Sequence, residues 1–380
     1  MSAWVRSAAW STGLAAMLAV VVVVSAAIGP VRIPPAEVVK AVLNALVVPV
    51  GIETGSPSAG SLSVSGVSLA YRSPFAFPVE GVHQQIVVGV RLPRILLAAL
   101  VGFALAAAGT VMQGFFRNPM ADPSIIGVSS GAAVGAVAFI VFPVALSTTV
   151  AFPLVGAVDV GLSYGAGVSL FAFVGALIAA FGVYAIATQH GRTPVATLLL
   201  AGVAVQTFLG AVISYLQLQA GESLRRIVAW LMGHLSGASW SEVAVTAAVV
   251  PPLFILLLVY TRDLNVMLLG EEEAQGLGIE VERTKRILLG ASALITAAGV
   301  AFAGVIGFVG LIVPHMLRLV VGPDHRVLLP TAALAGSSFL VAADTVARSG
   351  TAELPVGIVT AAVGAPFFIY LLMSREVHEL

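Results

Sequence analysis

Long apolar segments are the feature that most constrains the fold of this chain. About ten follow one another, and most approach the ~20 residues that a helix needs to cross a bilayer. They lie at residues 9–29, 95–113, 125–143, 168–188, 195–217, 242–261, 287–304, 309–320, 328–347 and 354–373. The chain is 59% hydrophobic and 9% charged, whereas soluble domains are about 25% charged. Since lipid offers no hydrogen-bond partners to the backbone, we predict an all-α polytopic membrane protein with one transmembrane domain, residues 1–380.

Three segments leave the topology open. Residues 144–167 are apolar but are interrupted by Pro153, so they could form a re-entrant helix, a surface helix or an eleventh span. Residues 30–90 form the longest hydrophilic stretch on the outer side, and its Gly/Ser-rich part, "GIETGSPSAGSLSVSGVS", predicts a flexible linker. The first apolar segment could be a secretory signal. Its length of about 20 residues exceeds the usual ~7–15, so we interpret it as a retained helix.

The distribution of basic residues predicts the orientation in the membrane. With the N-terminus inside, ten of the 18 lysines and arginines face the cytoplasm and the remaining eight face outward. Positive charge is enriched on the cytoplasmic side of membrane proteins. This weak bias predicts a multi-pass protein of the cell membrane with both termini in the cytoplasm.

Several function classes are excluded or disfavoured by composition. The chain has no cysteine, which excludes disulfides and thiolate metal sites, and we predict no metal site of another kind. Its net charge is zero without a basic block, so a nucleic-acid partner is not expected. It also lacks the Gly-Lys pair of a phosphate-binding P-loop. If ATP drives this protein, another chain must bind the nucleotide.

The densest charge cluster lies in "NVMLLGEEEAQGLGIEVERTKR", residues 265–286, which contains eight charged side chains. Glycine permits the positive φ that ends a helix, so we predict two short helices, near 271–275 and 280–286, joined by "GLG". Glutamates at the start of the first helix would stabilise it, because the helix dipole favours negative charge at the N-terminus. A short rigid element of this kind could contact a soluble partner, while a solvated loop is the alternative.

Arginines at the outer ends of two spans are candidates for recognition. Arg91 and Arg94 lie one turn apart, and Arg348 follows Asp344 by four residues. Guanidinium groups bind carboxylates well, and charged residues near a span are functional candidates. The alternatives are contacts with lipid phosphate for the first two and an internal Asp344–Arg348 pair.

Two other function classes were weighed. "GVSSG" at 127–131 matches the G-x-S-x-G pattern of serine hydrolases, and His315 lies in another apolar segment, which would suit an intramembrane serine protease. Three fixed positions in a chain rich in glycine and serine match this pattern by chance. An ion-coupled secondary transporter would need a carboxylate deep in the membrane; the in-span candidate is Asp344, opposite Arg348.

Several long stretches together resemble the permease subunits of the iron-chelate, haem and vitamin B12 ATP-binding-cassette (ABC) importers. The similarity runs from about Arg91 to the C-terminus. It rests on "RLPRILLAALVGFALAAAGTVMQGFFRNPMADPSIIGVSSGA", "WLMGHLSGASW", "LLGEEEAQGLGI", "GVIGFVGLIVPHMLRL", "DHRVLLPTAALAGSSFLVAADTVAR" and "ELPVGIVTAAVGAPFFIYLL", in this order. Residues 50–80 have no counterpart that we could place.

The resemblance implies a transport subunit with no cofactor and no catalytic residue of its own. Its implied partners are a second copy of the permease, two cytoplasmic ATPase subunits that hold ATP and Mg, an external substrate-binding protein and membrane lipid. The implied cargo is cobalamin, haem or a ferric siderophore, with a slight preference for a corrinoid.

The resemblance also implies roles for particular residues. The loop at 262–286 would dock in the ATPase, through Leu269, Gly270, Glu271, Glu272, Ala274, Gly276, Leu277 and Gly278. Carboxylates of the binding protein would meet Arg91, Arg94 and Arg348. The pathway would be lined by the fifth and tenth spans, with its inner gate at Asn118, Met120, Pro194, Val195 and Ala196. The last three stand where some relatives have small hydroxylated residues, which leaves the polarity of that gate open.

Overall fold

The computed structural model describes residues 3–46, 48–54, 63–64, 67–144, 147–152, 156–161, 163–350 and 352–374. Its helices are α1 Ala3–Ala27, α2 Pro35–Ala45, α3 Gly81–Gln85, α4 Leu92–Phe115, α5 Val128–Val141, α6 Tyr164–Ala187, α7 Val195–Leu218, α8 Leu224–Leu231, α9 Trp240–Val259, α10 Thr261–Met267, α11 Glu271–Gly276, α12 Val281–Ala303, α13 Val309–Val321, α14 His325–Ala347 and α15 Val356–Ser374. A π-helical stretch, Ile86–Arg91, makes α3 and α4 continuous, and short 3-10 helices occupy Pro123–Ile126 and Gly221–Ser223.

The helices long enough to cross a membrane match the prediction from sequence. Seven described helices qualify by length and composition, and three shorter apolar helices, α5, α13 and α15, accompany them. Together they correspond to the ten predicted segments. The prediction of a multi-pass membrane protein with an all-α transmembrane bundle is therefore confirmed.

Two helices form the centre of the bundle. Helix α4 packs against α9, α12, α13 and α14, and α14 also packs against α1. In the most apolar window of the α3–α4 helix 78% of residues are buried, against 17% in α7. Lipid or another chain must therefore cover most of α7, whereas α4 is enclosed by its own chain.

Glycines allow the central helices to approach closely. A Cβ atom at Gly102 of α4 would overlap the carbonyl oxygen of Gly336 in α14, and one at Gly109 would overlap that of Gly310 in α13. Small residues are used in this way between membrane helices because they let two backbones come into contact.

Two small β-sheets were not predicted from the sequence. Strands β1 Val48–Thr54, β2 Ser63–Val64 and β3 Val67–Arg72 pair antiparallel in the order β1-β3-β2, and β4 Ser147–Phe152 pairs with β5 Gly156–Gly161. The interpretation of 144–167 as a helix or an eleventh span is therefore wrong; β-branched residues such as those of "STTVAF" favour an extended backbone. Most of the predicted flexible linker, residues 55–62 and 65–66, lies outside the described residues.

Candidate functional site

The charged segment after α9 folds as a compact unit at one end of the bundle, the 261–286 unit. Helix α10 precedes α11, and α12 begins five residues after α11 ends. The predicted short helix at 271–275 is present as α11. The second one, at 280–286, is wrong as a separate element, because the helix that begins at Val281 continues without interruption into the span.

Two glycines and a small apolar cluster fix the position of α11. Gly270 and Gly278, at its two ends, have φ values of +136° and +86°, which side-chain-bearing residues rarely adopt. Ala274 is fully buried and packs in a cluster with Met267 and Val281. Helix α11 is therefore held firmly on α10 and on the start of α12.

The surface of this unit is apolar and acidic. Leu269 and Leu277 are 66% and 64% exposed, and Glu272, Glu273 and Gly276 are also exposed. Exposed leucines beside carboxylates form a surface that suits a protein partner better than water.

One charged side chain in this segment is almost completely buried. The Lys285 ammonium lies 2.6 Å from Glu271 Oε2, 3.2 Å from Glu282 Oε1 and 3.2 Å from the carbonyl oxygen of Thr193. The side chain of Lys285 is 1% exposed. Sequence reasoning counted Lys285 as one charge of the cluster and missed its role as a junction; its position four residues into a membrane-bound helix was the available signal.

The predicted gate residues lie at the ends of α4 and α7. Asn118 follows α4, and its side-chain oxygen accepts the backbone N–H of Met120 at 2.8 Å. Pro194 is the N-cap of α7, followed by Val195 and Ala196 in the first turn.

The 3-10 helix Pro123–Ile126 contacts both α4 and α7. It follows the turn that contains Asn118 and Met120, and it packs against α7. Gln206 Nε2 of α7 donates a hydrogen bond to the carbonyl oxygen of Ile125 at 2.8 Å. The assignment of these residues to a gate stays a prediction.

At the other end of the bundle, Arg91 points into the protein. Its guanidinium donates hydrogen bonds to the backbone carbonyls of Ala26 and Val31, and the residue is 6% exposed. Arg91 therefore fastens the end of α1 to α4.

Arg94 contacts two carboxylates, those of Asp344 and Glu353. Its Nε and NH2 groups donate to both carboxylate oxygens of Asp344 at 2.7–3.0 Å, and its NH1 group lies 2.5 Å from Glu353 Oε1. The side chain of Asp344 is 1% exposed and that of Glu353 is 48% exposed.

Arg348 also lies near Asp344, and it contacts the end of α1. It donates to the backbone carbonyls of Ser25 and Ile28, and its Nε lies 3.6 Å from Asp344 Oδ2. The internal Asp344–Arg348 pair that the spacing allowed is thus formed.

The three arginines therefore all have partners within the chain. An external protein would have to displace those contacts to bind them, and Arg91 is too deeply buried to be reached from outside. Docking through these side chains stays a prediction, and their geometry instead supports a structural role in joining α1, α4 and α14.

The geometry disfavours both alternative functions. A nucleophile elbow needs a strand before the G-x-S-x-G turn, whereas here the 3-10 helix Pro123–Ile126 precedes Gly127 and Ser129 lies in the first turn of α5. The carboxylate of Asp344, which an ion-coupled transporter would need, is occupied by two arginines.

Known proteins resemble the chain over almost its entire length. It is 54% identical to the cobalamin import system permease protein BtuC of Halobacterium salinarum, across 99% of this chain and 98% of that protein. It is 41% identical to the hemin transport system permease protein HmuU of Yersinia pestis, across 83% and 92%. A solved inward-facing structure of a metal-chelate type ABC transporter matches 97% of this chain and 99% of that one, with a TM-score of 0.73 at 29% identity.

A family model agrees with these relatives. The model of the FecCD transport family matches residues 17–374, which include most of the bundle, the 261–286 unit and the contacts of Arg91, Arg94 and Arg348. The chain belongs to the FecCD transport family, whose similar members are permease subunits of ABC importers.

Proposed function

We propose that this protein is the membrane permease of an ABC importer whose cargo is cobalamin. The observation that supports this cargo is the 54% identity, over nearly full length, to a relative named as a cobalamin permease. Haem is the alternative that a second relative favours, at 41% identity. The ten apolar helices fit a translocation role, and ATP and Mg would be held by separate ATPase subunits.

The proposed assembly contains two permeases, two ATPases and an external binding protein. Helix α7 carries large exposed apolar side chains along its length, including Leu200, Phe208 and Leu218 at 72%, 68% and 84% exposure. We place α7 and α15 at the axis between two permeases, where these faces are covered and line the pathway. With the N-terminus inside, as the distribution of basic residues predicts, ten spans would place both termini in the cytoplasm.

The 261–286 unit is the proposed docking surface for the ATPase, on the cytoplasmic side of the membrane. Its exposed leucines supply apolar area, and its glutamates supply charge complementarity and orientation. Since α11 is rigidly held at both ends, a movement of the ATPase would be carried into the permease rather than absorbed by a loop.

Cargo would cross without tight binding to the permease. The helix faces available for a pathway are mostly apolar, so they offer few specific contacts to a polar chelate. Selectivity would then reside mainly in the external binding protein.

Reconstitution of the complex tests the docking surface. The change is Glu272→Arg together with Leu277→Ser, which alters two exposed side chains without touching the Lys285 contacts. We expect the ATPase subunits to dissociate and uptake to stop. The matched control is Glu222→Arg, a charge reversal in the short helix before α8, which should leave ATPase binding intact. Retention of ATPase binding and uptake by the double variant would contradict docking through α11.

The cargo is tested separately in vesicles that contain the whole importer. We expect ATP-dependent uptake of radiolabelled cobalamin, with little uptake of haem or a ferric siderophore supplied at the same concentration. Uptake of haem in preference to cobalamin would replace the proposed cargo while leaving the family assignment unchanged.

A further inference from the structure

The Lys285 cluster lies where α11, the start of α12 and the connection between α6 and α7 meet. We define it as Lys285, Glu271, Glu282 and Thr193. Glu271 begins α11, Lys285 and Glu282 lie in the first turns of α12, and Thr193 lies in the connection between α6 and α7. The Lys285 ammonium uses its three donor positions for one contact to each of the others.

Burial of this ammonium is costly unless its partners are held in place. Desolvation of a lysine is compensated only by good geometry with opposite charges and acceptors. Here both carboxylates belong to the same small unit, and the third acceptor is a backbone carbonyl that cannot rotate away. The cluster is therefore expected to persist or break as a whole rather than to exchange partners freely.

Thr193 is bound at every polar group. Its N–H donates to Glu282 Oε2 at 3.2 Å and its carbonyl accepts from Lys285. Its hydroxyl lies 3.0 Å from that of Thr188, the residue that caps α6. Thr193 is fully buried, and Pro194, the next residue, begins α7. The cluster thus connects α11 and α12, through Lys285 and Glu282, to the residue that precedes the N-cap of α7.

A second contact attaches the same unit to α14. A comparison of α14 with α7 indicates which helix could move with the unit. Asn265 of α10 donates to Asp324 Oδ1 at 2.7 Å and accepts the backbone N–H of His325 at the start of α14. Helix α14 is largely enclosed by the bundle, whereas α7 is not. A displacement of α10 and α11 therefore meets α14, which is enclosed by its own chain, and α7, which its own chain leaves mostly uncovered.

The packing next to the cluster leaves space for such a movement. A cavity of about 160 Å³ lies between α6, α7 and α12, and its lining includes Tyr184, Leu198 and Leu289. The lining also includes the exposed side chain of Phe181, so this cavity opens to the surface, and α7 is not packed tightly against α6 and α12 there.

We propose that Lys285 is the positioning residue that transmits movement of α11 to the cytoplasmic end of α7, where the gate residues Pro194, Val195 and Ala196 lie. This inference rests on the proposed function, because it assumes that the ATPase moves α11. It adds the identity of the side chain that carries the movement and the helix that receives it.

Variants of Lys285 in the complete importer test this inference. Lys285→Met keeps the length of the side chain but removes the ammonium, and Lys285→Arg restores a cation. With Lys285→Met we expect the ATPase to remain bound and to hydrolyse ATP, while cargo moved per ATP falls roughly tenfold, as the loss of hydrogen bonds to a charged group would produce. Lys285→Arg should recover a large part of the ratio.

The matched control is Arg286→Met, which removes the neighbouring charge that is exposed and has one long contact to Glu282. It should leave the ratio of transport to hydrolysis unchanged. If Lys285→Met fails to fold, Glu282→Gln serves instead, because Glu282 is outside the predicted ATPase contacts and its change leaves Lys285 its contacts with Glu271 and Thr193. The same direction of change in cargo moved per ATP is expected, and a normal value overturns the inference.

A distance measurement separates transmission from a purely structural role. The chain has no cysteine, so spin labels can be attached at Gln275→Cys on α11 and His190→Cys in the turn before α7, both exposed. In the parent importer, ATP binding should leave the distance between the two labels constant. In Lys285→Met, ATP binding should change that distance or broaden its distribution.

The outcomes are distinguishable from failure of the proposed function. Loss of ATPase binding in the Glu272→Arg, Leu277→Ser variant supports docking, whereas its retention refutes docking. Normal transport per ATP in Lys285→Met, or an unchanged label separation in that variant, overturns the role of Lys285 even when docking is confirmed.

Discussion

Removal of the Asp344 carboxylate is the most informative perturbation at the end of the bundle where Arg94 and Arg348 lie. Asp344 is 1% exposed. It accepts three hydrogen bonds from Arg94 at 2.7–3.0 Å and lies 3.6 Å from the Nε of Arg348. In Asp344→Ala the two guanidinium groups keep their neighbouring positions, while Glu353, which is half exposed, is the remaining carboxylate in contact with Arg94.

The magnitude follows from the burial of both partners. Removing one member of a buried ion pair typically costs about 3–5 kcal/mol, because the other charge stays desolvated without compensation. The side chains of Arg94 and Arg348 are 14% and 9% exposed, so screening by water relieves little of this cost. We expect Asp344→Ala to lower the free energy of unfolding by about 3 kcal/mol.

A double variant separates the pair from simple loss of packing. Replacing both partners of a buried pair by apolar residues is often close to neutral, so Arg94→Met with Asp344→Ala should be more stable than Asp344→Ala alone. We expect a coupling energy of about 2 kcal/mol, within the usual range for residues in contact.

The assay is reversible unfolding in mixed micelles with increasing denaturing detergent, followed by circular dichroism. The parent, both single variants and the double variant are compared under the same conditions. A loss below about 1 kcal/mol for Asp344→Ala, the size of a surface ion pair, would refute the reasoning. Additive effects in the double variant would also refute it, because they would show that the two residues do not stabilise each other.

Two further predictions concern helix packing and pH. Gly109→Ala should destabilise the bundle by about 1–3 kcal/mol, because its Cβ would overlap a backbone carbonyl of α13. Gly290→Ala, where the Cβ meets open space, should stabilise it by about 0.5–1 kcal/mol. Equal melting temperatures for the two variants would contradict this prediction. The hydrogen bonds from Arg326 hold the pKa of Asp324 at about 2, below the ~3.9 of an unfolded chain. Its contribution is therefore present above pH ~4 and is lost as the pH falls from about 4 toward 2. Across that pH range the melting temperature should fall less for Asp324→Asn than for the parent protein. An equal fall in the two proteins would contradict the prediction.

Much of the fold follows from local properties of the sequence. Lipid as a solvent requires each spanning segment to satisfy its own backbone, so the apolar runs alone predict a bundle of about ten helices. Glycines and charge density likewise locate the unit at 262–286, since they act through neighbouring residues. The hairpin β4–β5 was missed because apolar content alone does not distinguish a helix from a strand.

The tertiary structure decided which charges are available to partners. Arg94 contacts Glu353 across 259 positions, and Lys285 contacts Thr193 across 92, and no periodic pattern encodes pairs so distant. The sequence presented Arg91 and Arg94 as candidate docking cations, left open whether Arg348 pairs with Asp344, and presented Lys285 as one charge of a dense cluster. Only the packing of α1, α4 and α14, and of α11 against α12 and the α6–α7 connection, shows that these groups are desolvated. A buried charge must take the partner that its neighbours provide, so tertiary contacts, and not spacing along the chain, set these roles.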